Sequence, residues 1–261
     1  MKINIYQVDA FTNKPFNGNP ACVVPLKKWL PDDILLKISA ENSVPETAFF
    51  IVNPDYVELR WFTPDIEIDL CGHATLATAH VLKTIYNYPH SQIIFNTMSG
   101  ALKVSYKKNF YFLDFPSRLP IPSDLPKEIY LSLNIKPKEV LKSRDFLLVY
   151  DSQDEIEKIK INKHYFDKIN LGHGGLIVTS LSSEVDFVSR FFTPQATILE
   201  DFVTGSSHCS LIPFWAMRLK KNHLEAIQLS NRPGKLICIN KNDRVVIGGQ
   251  AVIYSRGEFY I

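Results

Sequence analysis

Stretches in which apolar and polar residues alternate predict that much of this chain forms β-strands. The first residues, MKINIYQVDAF (1–11), alternate in this way. VELRWF (57–62) and VDFVSRFF (185–192) are rich in β-branched and aromatic residues and have the length of ordinary strands. Pro64 and Pro194 follow these two segments, and we expect them to end the strands because proline has no N–H to donate to a ladder.

Two further segments have the 3.6-residue periodicity of buried helices. ATLATAHVLKTIY (74–86) keeps apolar residues at helical spacing, and SLIPFWAMRL (210–219) is similar. We expect Pro213 to lie in the first turn of the second helix, where a missing N–H costs little. The closing segment VVIGGQAVIYSRGEFYI (245–261) predicts a strand, a Gly-Gly turn and further strands.

The chain contains nearly the same five residues twice, RWFTP at 60–64 and RFFTP at 190–194. In each place a strand-like segment precedes the pentapeptide, and a loop with an acid, a glycine and an apolar helix follow it; the acid is Asp69 in the first copy. A chance match is the alternative. The repeated order favours an internal duplication, and hence two similar lobes at residues 1–118 and 119–250.

Composition and charge exclude several classes of function. Hydrophobic residues make up 46% and charged residues 21% of the chain, as in ordinary globular proteins. The formal net charge is only +2, so we expect no nucleic-acid partner. No apolar run approaches the roughly 18 residues that cross a bilayer. Because the first residues also lack the features of a signal peptide, we expect no membrane association and a cytoplasmic location.

Common metal and cofactor motifs are absent from the sequence. No cysteine lies in a CxxC pair, and His73 and His80 are not at a spacing typical of metal ligands. The HExxH, GxGxxG, P-loop and GxSxG patterns do not occur either. We therefore expect reduced thiols, no metal and no cofactor.

The two glycine-containing turns are candidate anion sites. A helix start has unpaired N–H groups and partial positive charge, and a glycine beside it lets a ligand approach the backbone. Gly72 and Gly205 occupy such positions before the two predicted helices. The alternative is that each glycine only turns a corner and each neighbouring polar residue caps a helix. Two matching copies favour a carboxylate-binding cleft between the lobes.

Four segments of the chain resemble the PhzF-like family of phenazine-biosynthesis-type isomerases. They are GNPACVV (18–24), SVPETAFFI (43–51), FTPDIEIDLCGHATLATAHVL (62–82) and EDFVTGSSHC (200–209), and they occur in the order of the family. The resemblance implies an α+β fold like that of diaminopimelate epimerase, in which each lobe is a mixed, mostly antiparallel sheet around a central helix. It also implies an active site between the lobes, a final segment (about 251–261) that returns to the first lobe, and a homodimer.

The resemblance also implies roles for individual residues. It assigns catalysis to Glu46, His73, Asp201 and Ser206, and substrate contacts to Asn19, Gly72 and Gly205. Glu46 lies between Pro45 and the apolar run TAFFIV, so we expect a partly dry carboxyl group, an environment that suits proton transfer. Each of these residues also has a plain structural alternative, such as a surface glutamate, a capping group or a turn asparagine.

One position departs from epimerases of this fold, which use a cysteine at each helix start. Cys71 fills the first position, but Thr204 stands at the second. A threonine hydroxyl cannot act as a thiolate base, so two-thiol epimerisation is disfavoured and Cys71 is interpreted as structural. The charged stretch from KEVLKSRDF (138–146) to EIEKIKINKHYFDKI (155–169) is interpreted as solvated surface.

The sequence therefore predicts a cofactor-independent isomerase that moves a proton within a small carboxylic acid, using Glu46 as acid and base. Two alternatives stay open. The chain could be a non-catalytic protein that binds small acids, or an epimerase of amino-acid-like substrates.

Overall fold

The computed structural model describes residues 1–261. Contacts within the chain divide it into two compact units, unit 1 (Met1–Phe115 and Val246–Ile261) and unit 2 (Pro116–Val245). Each unit contains a mixed β-sheet and one long buried helix. The predicted α+β class, with a mixed sheet around a central helix in each half, is confirmed.

The strands and helices are numbered in chain order. The strands are β1 (Lys2–Ala10), β2 (Asn19–Pro25), β3 (Glu46–Val52), β4 (Val57–Phe62), β5 (Glu67–Ile68), β6 (Gln92–Thr97), β7 (Gly100–Lys107), β8 (Phe110–Pro116), β9 (Ile121–Pro122), β10 (Glu139–Lys142), β11 (Phe146–Val149), β12 (Leu176–Leu181), β13 (Phe187–Phe192), β14 (Glu200–Asp201), β15 (His223–Gln228), β16 (Gly234–Lys241), β17 (Arg244–Gly249) and β18 (Ala251–Tyr260). The helices are α1 (Asp32–Asn42), α2 (Gly72–Thr84), α3 (Lys127–Ser132), α4 (Gln153–Lys158), α5 (Lys163–Phe166) and α6 (His208–Leu219).

The sheet of unit 1 is built around strands β2, β3 and β4. Strand β1 pairs antiparallel with β2 on one side and with β18 on the other. Strand β2 is parallel to β3, and β3 is antiparallel to β4. One end of β4 pairs antiparallel with β5 and the other end parallel with β6, which continues into the antiparallel strands β7 and β8.

Unit 2 repeats this order of strand directions. Strand β11 is parallel to β12, and β12 is antiparallel to β13. One end of β13 pairs antiparallel with β14 and the other parallel with β15, which is antiparallel to β16. Helix α2 lies between β5 and β6 in the chain, as α6 lies between β14 and β15. The repeated pentapeptides therefore belong to a repeated supersecondary structure and are not a chance match.

The repeated arginine has the same ion pair in both units. Arg60 donates two hydrogen bonds to the carboxylate of Glu67, at 2.7 and 2.6 Å. Arg190 donates two to Glu200, at 2.6 and 2.9 Å. The acid that matches Glu200 is therefore Glu67 and not Asp69, because a residue paired with β4 faces the arginine on that strand.

The two central helices are buried along most of their length, but α6 begins differently from the prediction. It starts at His208, so Pro213 lies in its second turn and not in its first. The ring of Pro213 removes the N–H that would bond the carbonyl of Cys209. That carbonyl instead accepts the backbone N–H of Arg118 at 2.8 Å, so the helix continues without an unsatisfied buried group.

Among the helices α1 to α6, none combines the length with the apolar character that crossing a bilayer requires.

Replacing Gly175 by alanine tests how closely the strands of unit 2 pack. A Cβ there would lie 2.3 Å from Cζ of Phe191 and 2.8 Å from the carbonyl oxygen of Phe192. We expect Gly175→Ala to lower the free energy of unfolding by roughly 1–3 kcal/mol, as overpacking does. Gly257→Ala is the matched control, because its Cβ meets nothing within 4 Å. Urea denaturation measures both, and equal stabilities of the two variants would contradict the expectation.

Candidate active site

Glu46 is the first residue of β3 and pairs with Ala21 of the parallel strand β2. Its side chain is 15% exposed, and its Oε2 atom lies 3.0 Å from Nε2 of His73. Neither of these two buried atoms has another hydrogen-bond partner. Since burial is costly for an unpaired polar group, the two side chains depend on each other.

His73 is the second residue of α2 and is 3% exposed. Its Nδ1 atom lies 3.1 Å from Nδ2 of Asn19 and 3.6 Å from Sγ of Cys71. Asn19 begins β2, and Cys71 immediately precedes the helix. The parallel pairing of β2 with β3 and the start of α2 therefore bring four side chains together around one imidazole ring.

The charges around His73 favour its protonated form. Burial alone would lower the pKa of the imidazole, but Cys71 and Glu46 raise it, and the net pKa lies well above its ordinary value. Burial, followed by the charge of Glu46, raises the pKa of the Cys71 thiol to about 11. Because this thiol stays protonated at neutral pH, the Glu46 carboxylate is the charge that stabilises the imidazolium.

Three side chains around the imidazole ring carry atoms that can bind a metal ion, those of Glu46, Cys71 and His73. One ligand atom from each lies within 4.8 Å of the others. Carboxylate, thiolate and imidazole are all ligands of zinc. Binding would require the buried Cys71 thiol to lose its proton and His73 to be neutral, so the charges of this cluster oppose a resident metal.

Asp201 belongs to a second polar group, in unit 2. Its Oδ2 atom accepts a hydrogen bond from Oγ1 of Thr204 at 2.5 Å. Gln228, at the end of β15, accepts the backbone N–H of Thr204 at 2.8 Å and donates to the backbone carbonyl of Asp201 at 2.9 Å. Gln228 is fully buried. The amide thus fixes the loop that carries Asp201, a role that no sequence motif indicated.

Ser206 is held from a different side. Its Oγ atom accepts a hydrogen bond from Nη2 of Arg144 at 2.9 Å. Nε and Nη2 of Arg144 also donate to the two carboxylate oxygens of Asp145, at 3.0 and 2.8 Å. Asp145 is 1% exposed. The interpretation of this charged stretch as solvated surface was therefore wrong at Arg144 and Asp145, which pack against the start of α6.

His208 is the first residue of α6 and is completely buried. Its Nδ1 donates to the backbone carbonyl of Thr204 at 2.8 Å, and its ring packs at 6.0 Å from that of Phe187. Burial lowers the pKa of this histidine to about 4. His208 is thus a neutral structural group, unlike His73.

The predicted site residues fall into two groups, one in each unit. In unit 1 the structure brings Asn19, Glu46 and His73 together, and Gly72 is the first residue of α2. In unit 2 Asp201 ends β14, and Gly205 and Ser206 lie on the turn before α6, where the Gly205 carbonyl accepts the N–H of His208 at 3.1 Å.

The sequence prediction missed Arg144, Asp145 and Gln228. An Arg-Asp pair directly before the apolar strand FLLV was the only available signal for the first two.

Known proteins match the chain over almost its whole length. The sequence profile of the PhzC-PhzF family, described as phenazine biosynthesis-like protein, matches residues 8–257. An uncharacterized isomerase of Pseudomonas aeruginosa is 43% identical over 258 residues, which are 99% of this chain and 98% of that relative.

Solved structures show the same similarity. The crystal structure of a PhzF family phenazine biosynthesis protein from Enterococcus faecalis has a TM-score of 0.95 and 43% identity, and covers 100% of both chains. A hydroxyproline epimerase from Agrobacterium vitis shares the fold, with a TM-score of 0.62 at 10% identity over 98% of this chain and 92% of its own.

The buried His208 predicts a loss of stability in mild acid. Its pKa is about 4 in the folded chain against an ordinary 6.5, so between these values the unfolded state binds more protons and stability falls as pH falls. We expect this residue to contribute a loss of about 3 kcal/mol between these limits. His73 has the opposite effect on stability, because its pKa is raised in the folded chain. Its contribution to the free energy of unfolding is complete below a pH of about 6.5 and is lost as the pH rises through the pKa of the folded state.

The comparison of wild type with His208→Asn isolates the contribution of His208. We expect the variant to lose less stability than wild type between pH 7 and pH 5 in urea denaturation, whereas exposed His223→Asn should follow wild type. Parallel pH profiles for His208→Asn and wild type would contradict the assignment.

Proposed function

The chain belongs to the PhzC-PhzF family of phenazine biosynthesis-like proteins, and we propose that it catalyses a cofactor-independent isomerisation of a small carboxylic acid, with Glu46 as the group that transfers the proton. It is an isomerase of this family, as its relatives are named. The proposed substrate carries an acidic C–H beside a carbonyl or an unsaturated bond, so that a base can remove the proton.

The observation that carries the proposal is the contact of 3.0 Å between Glu46 and the buried His73. His73, whose pKa lies well above its ordinary value, places a positive charge 3.0 Å from Glu46, and a carboxylate can accept a proton from carbon. Because water has little access to Glu46, the proton it takes up is retained and can be returned to a different carbon of the same substrate. Nδ1 of the imidazolium lies 3.6 Å from Sγ of Cys71, which can accept its N–H and orient the ring for this exchange.

The second group of residues supplies binding. Asp201 is fixed by Thr204 and Gln228, so we propose that it contacts polar groups of the substrate and assists proton movement. Ser206 has the same two roles in the proposal. Backbone N–H groups beside Gly72 and Gly205, at the starts of α2 and α6, are proposed to bind the substrate carboxylate. Asn19 is a further proposed contact.

We propose a homodimer, on the family resemblance alone, and a cytoplasmic location, as the sequence analysis expects.

Deuterium exchange tests the role of Glu46. The protein is incubated in D₂O with a panel of small unsaturated carboxylic acids, and uptake of deuterium at carbon is followed by NMR. We expect Glu46→Gln to slow exchange by roughly 10²–10⁴-fold, the usual contribution of a general acid–base group. Glu41→Gln, at an exposed position of α1, is the control and should match wild type. Equal exchange by wild type and Glu46→Gln across the panel would refute the role.

A non-catalytic acid-binding protein is the first alternative. It predicts that an acid of the panel binds without exchange or rearrangement and that its dissociation constant is the same for wild type and Glu46→Gln. Calorimetric titration with the same acids measures this.

An amino-acid epimerase is the second alternative, and Cys71 discriminates it. The thiol pKa of about 11 and the threonine at position 204 disfavour a two-thiol mechanism. We expect Cys71→Ser to retain exchange within about tenfold of wild type, far above Glu46→Gln. Racemisation of α-protons by wild type, lost in Cys71→Ser, would instead support the epimerase.

A further inference from the structure

Arg144 is fixed in a way that leaves part of its guanidinium group unused. Asp145 binds its Nε and Nη2 atoms, and Nη2 also donates to Ser206. Asp145 is itself anchored, because its Oδ1 accepts the backbone N–H of Gly175 at 2.9 Å. These bonds use the Nε hydrogen and both hydrogens of Nη2. The Nη1 amino group donates to no group of the chain, and the side chain is 24% exposed.

The direction of the bond to Ser206 follows from chemistry. A guanidinium has five N–H donors and no acceptor, so Ser206 must accept from Arg144. The hydroxyl proton of Ser206 then points away from Arg144 and is available to donate elsewhere. Arg144 thereby makes Ser206 a hydrogen-bond donor toward whatever lies beside the turn.

The backbone around Arg144 is held rigidly against α6. Oγ of Ser143 is 2.7 Å from Oγ of Ser210. A Cβ at Gly174 would lie 2.7 Å from the carbonyl oxygen of Arg144, so that carbonyl packs directly on the glycine. A guanidinium supported in this way pays little entropy when it binds a ligand.

Three arginine side chains lie near this turn, and the carboxylate of Asp145 partly offsets their charge. Arg118, Arg144 and Arg244 each act to lower the pKa of the buried Cys209 thiol, although burial dominates and raises it to about 11. The Nη1 atom of Arg118 is buried and has no hydrogen-bond partner in the chain. Such an atom is costly to leave unpaired. The start of α6 adds the partial positive charge of a helix N-terminus.

We propose that Arg144 and Ser206 form the subsite that recognises a carboxylate of the substrate. Ser206 donates its hydroxyl proton to one carboxylate oxygen, and the Nη1 group of Arg144 donates to the same carboxylate. Asp145 is the positioning residue, since it orients Arg144 and touches no ligand. This inference rests on the proposed function, which identifies the ligand as a carboxylic acid. It adds the side chains that would select such an acid.

Binding of acetate, the simplest carboxylate, tests the subsite without turnover. The Nε–Hε resonance of Arg144 and the backbone amides of Gly205 and Ser206 are followed by ¹⁵N NMR during titration. We expect saturable shifts with acetate in wild type and in Glu46→Gln alike, and no saturation with acetamide or with chloride at equal ionic strength.

Two variants make the titration specific. Ser206→Ala and Arg144→Met should each raise the dissociation constant for acetate about tenfold or more, a loss of about 1.4 kcal/mol. Arg218→Gln is the control, because Arg218 is bound to Glu139 at an exposed position, and it should bind acetate like wild type. Linear shifts in wild type, or equal affinities in Ser206→Ala and wild type, would overturn the proposal.

A kinetic measurement separates recognition from support of the fold. With any acid that the wild type exchanges, Arg144→Lys should raise KM at least tenfold with kcat changed less. Added guanidinium should partly restore kcat/KM of Arg144→Ala, which a merely structural defect would not allow. A loss of kcat alone, without rescue, would overturn the role in recognition.

The two proposals fail separately. Saturable acetate binding with no effect of Glu46→Gln on exchange would leave the subsite in place and refute the acid–base role. The reverse outcome would refute only the subsite.

Discussion

The burial of one helix in each unit is the constraint from which the rest of the structure follows. A helix enclosed by a sheet begins in the interior, where its first N–H groups have no water to bond. No side chain caps either helix start, although both carry polar residues, His73 after Cys71 in unit 1 and Ser206 before His208 in unit 2. Polar side chains are therefore concentrated in the apolar core at two places, the starts of α2 and α6.

The starts of α2 and α6 carry different kinds of side chain. In unit 1 the turn carries a thiol and an imidazolium, and the carboxylate of Glu46 lies beside them. In unit 2 the corresponding turn carries the hydroxyl groups of Thr204 and Ser206, which at neutral pH only donate and accept hydrogen bonds. The repeated corner thus carries titratable side chains in one copy and hydroxyl groups in the other.

Local sequence predicted much of this fold. Both central helices and the strands that carry the repeated arginines follow from periodicity and proline positions, and the family motifs contain the residues Asn19, Glu46 and His73 that the structure brings together. The predictions that were wrong concern residues whose structural role depends on partners distant in the sequence. Glu67 matches Glu200 only through pairing across a loop, and Pro213 is tolerated only because the Arg118 N–H reaches the carbonyl of Cys209. Asp145 appeared as a surface charge, because no local pattern shows that Arg144 and Gly175 satisfy its carboxylate.

The pairing of β1 with β18 has a consequence for biosynthesis. The sheet of unit 1 joins the first strand of the chain to the last over most of their length, whereas unit 2 is one uninterrupted segment. The ribosome synthesises all of unit 2 before it makes the partner of the first strand. The first segment of unit 1, Met1–Phe115, must therefore wait with one edge of its first strand unpaired, while most of unit 2 is already able to fold.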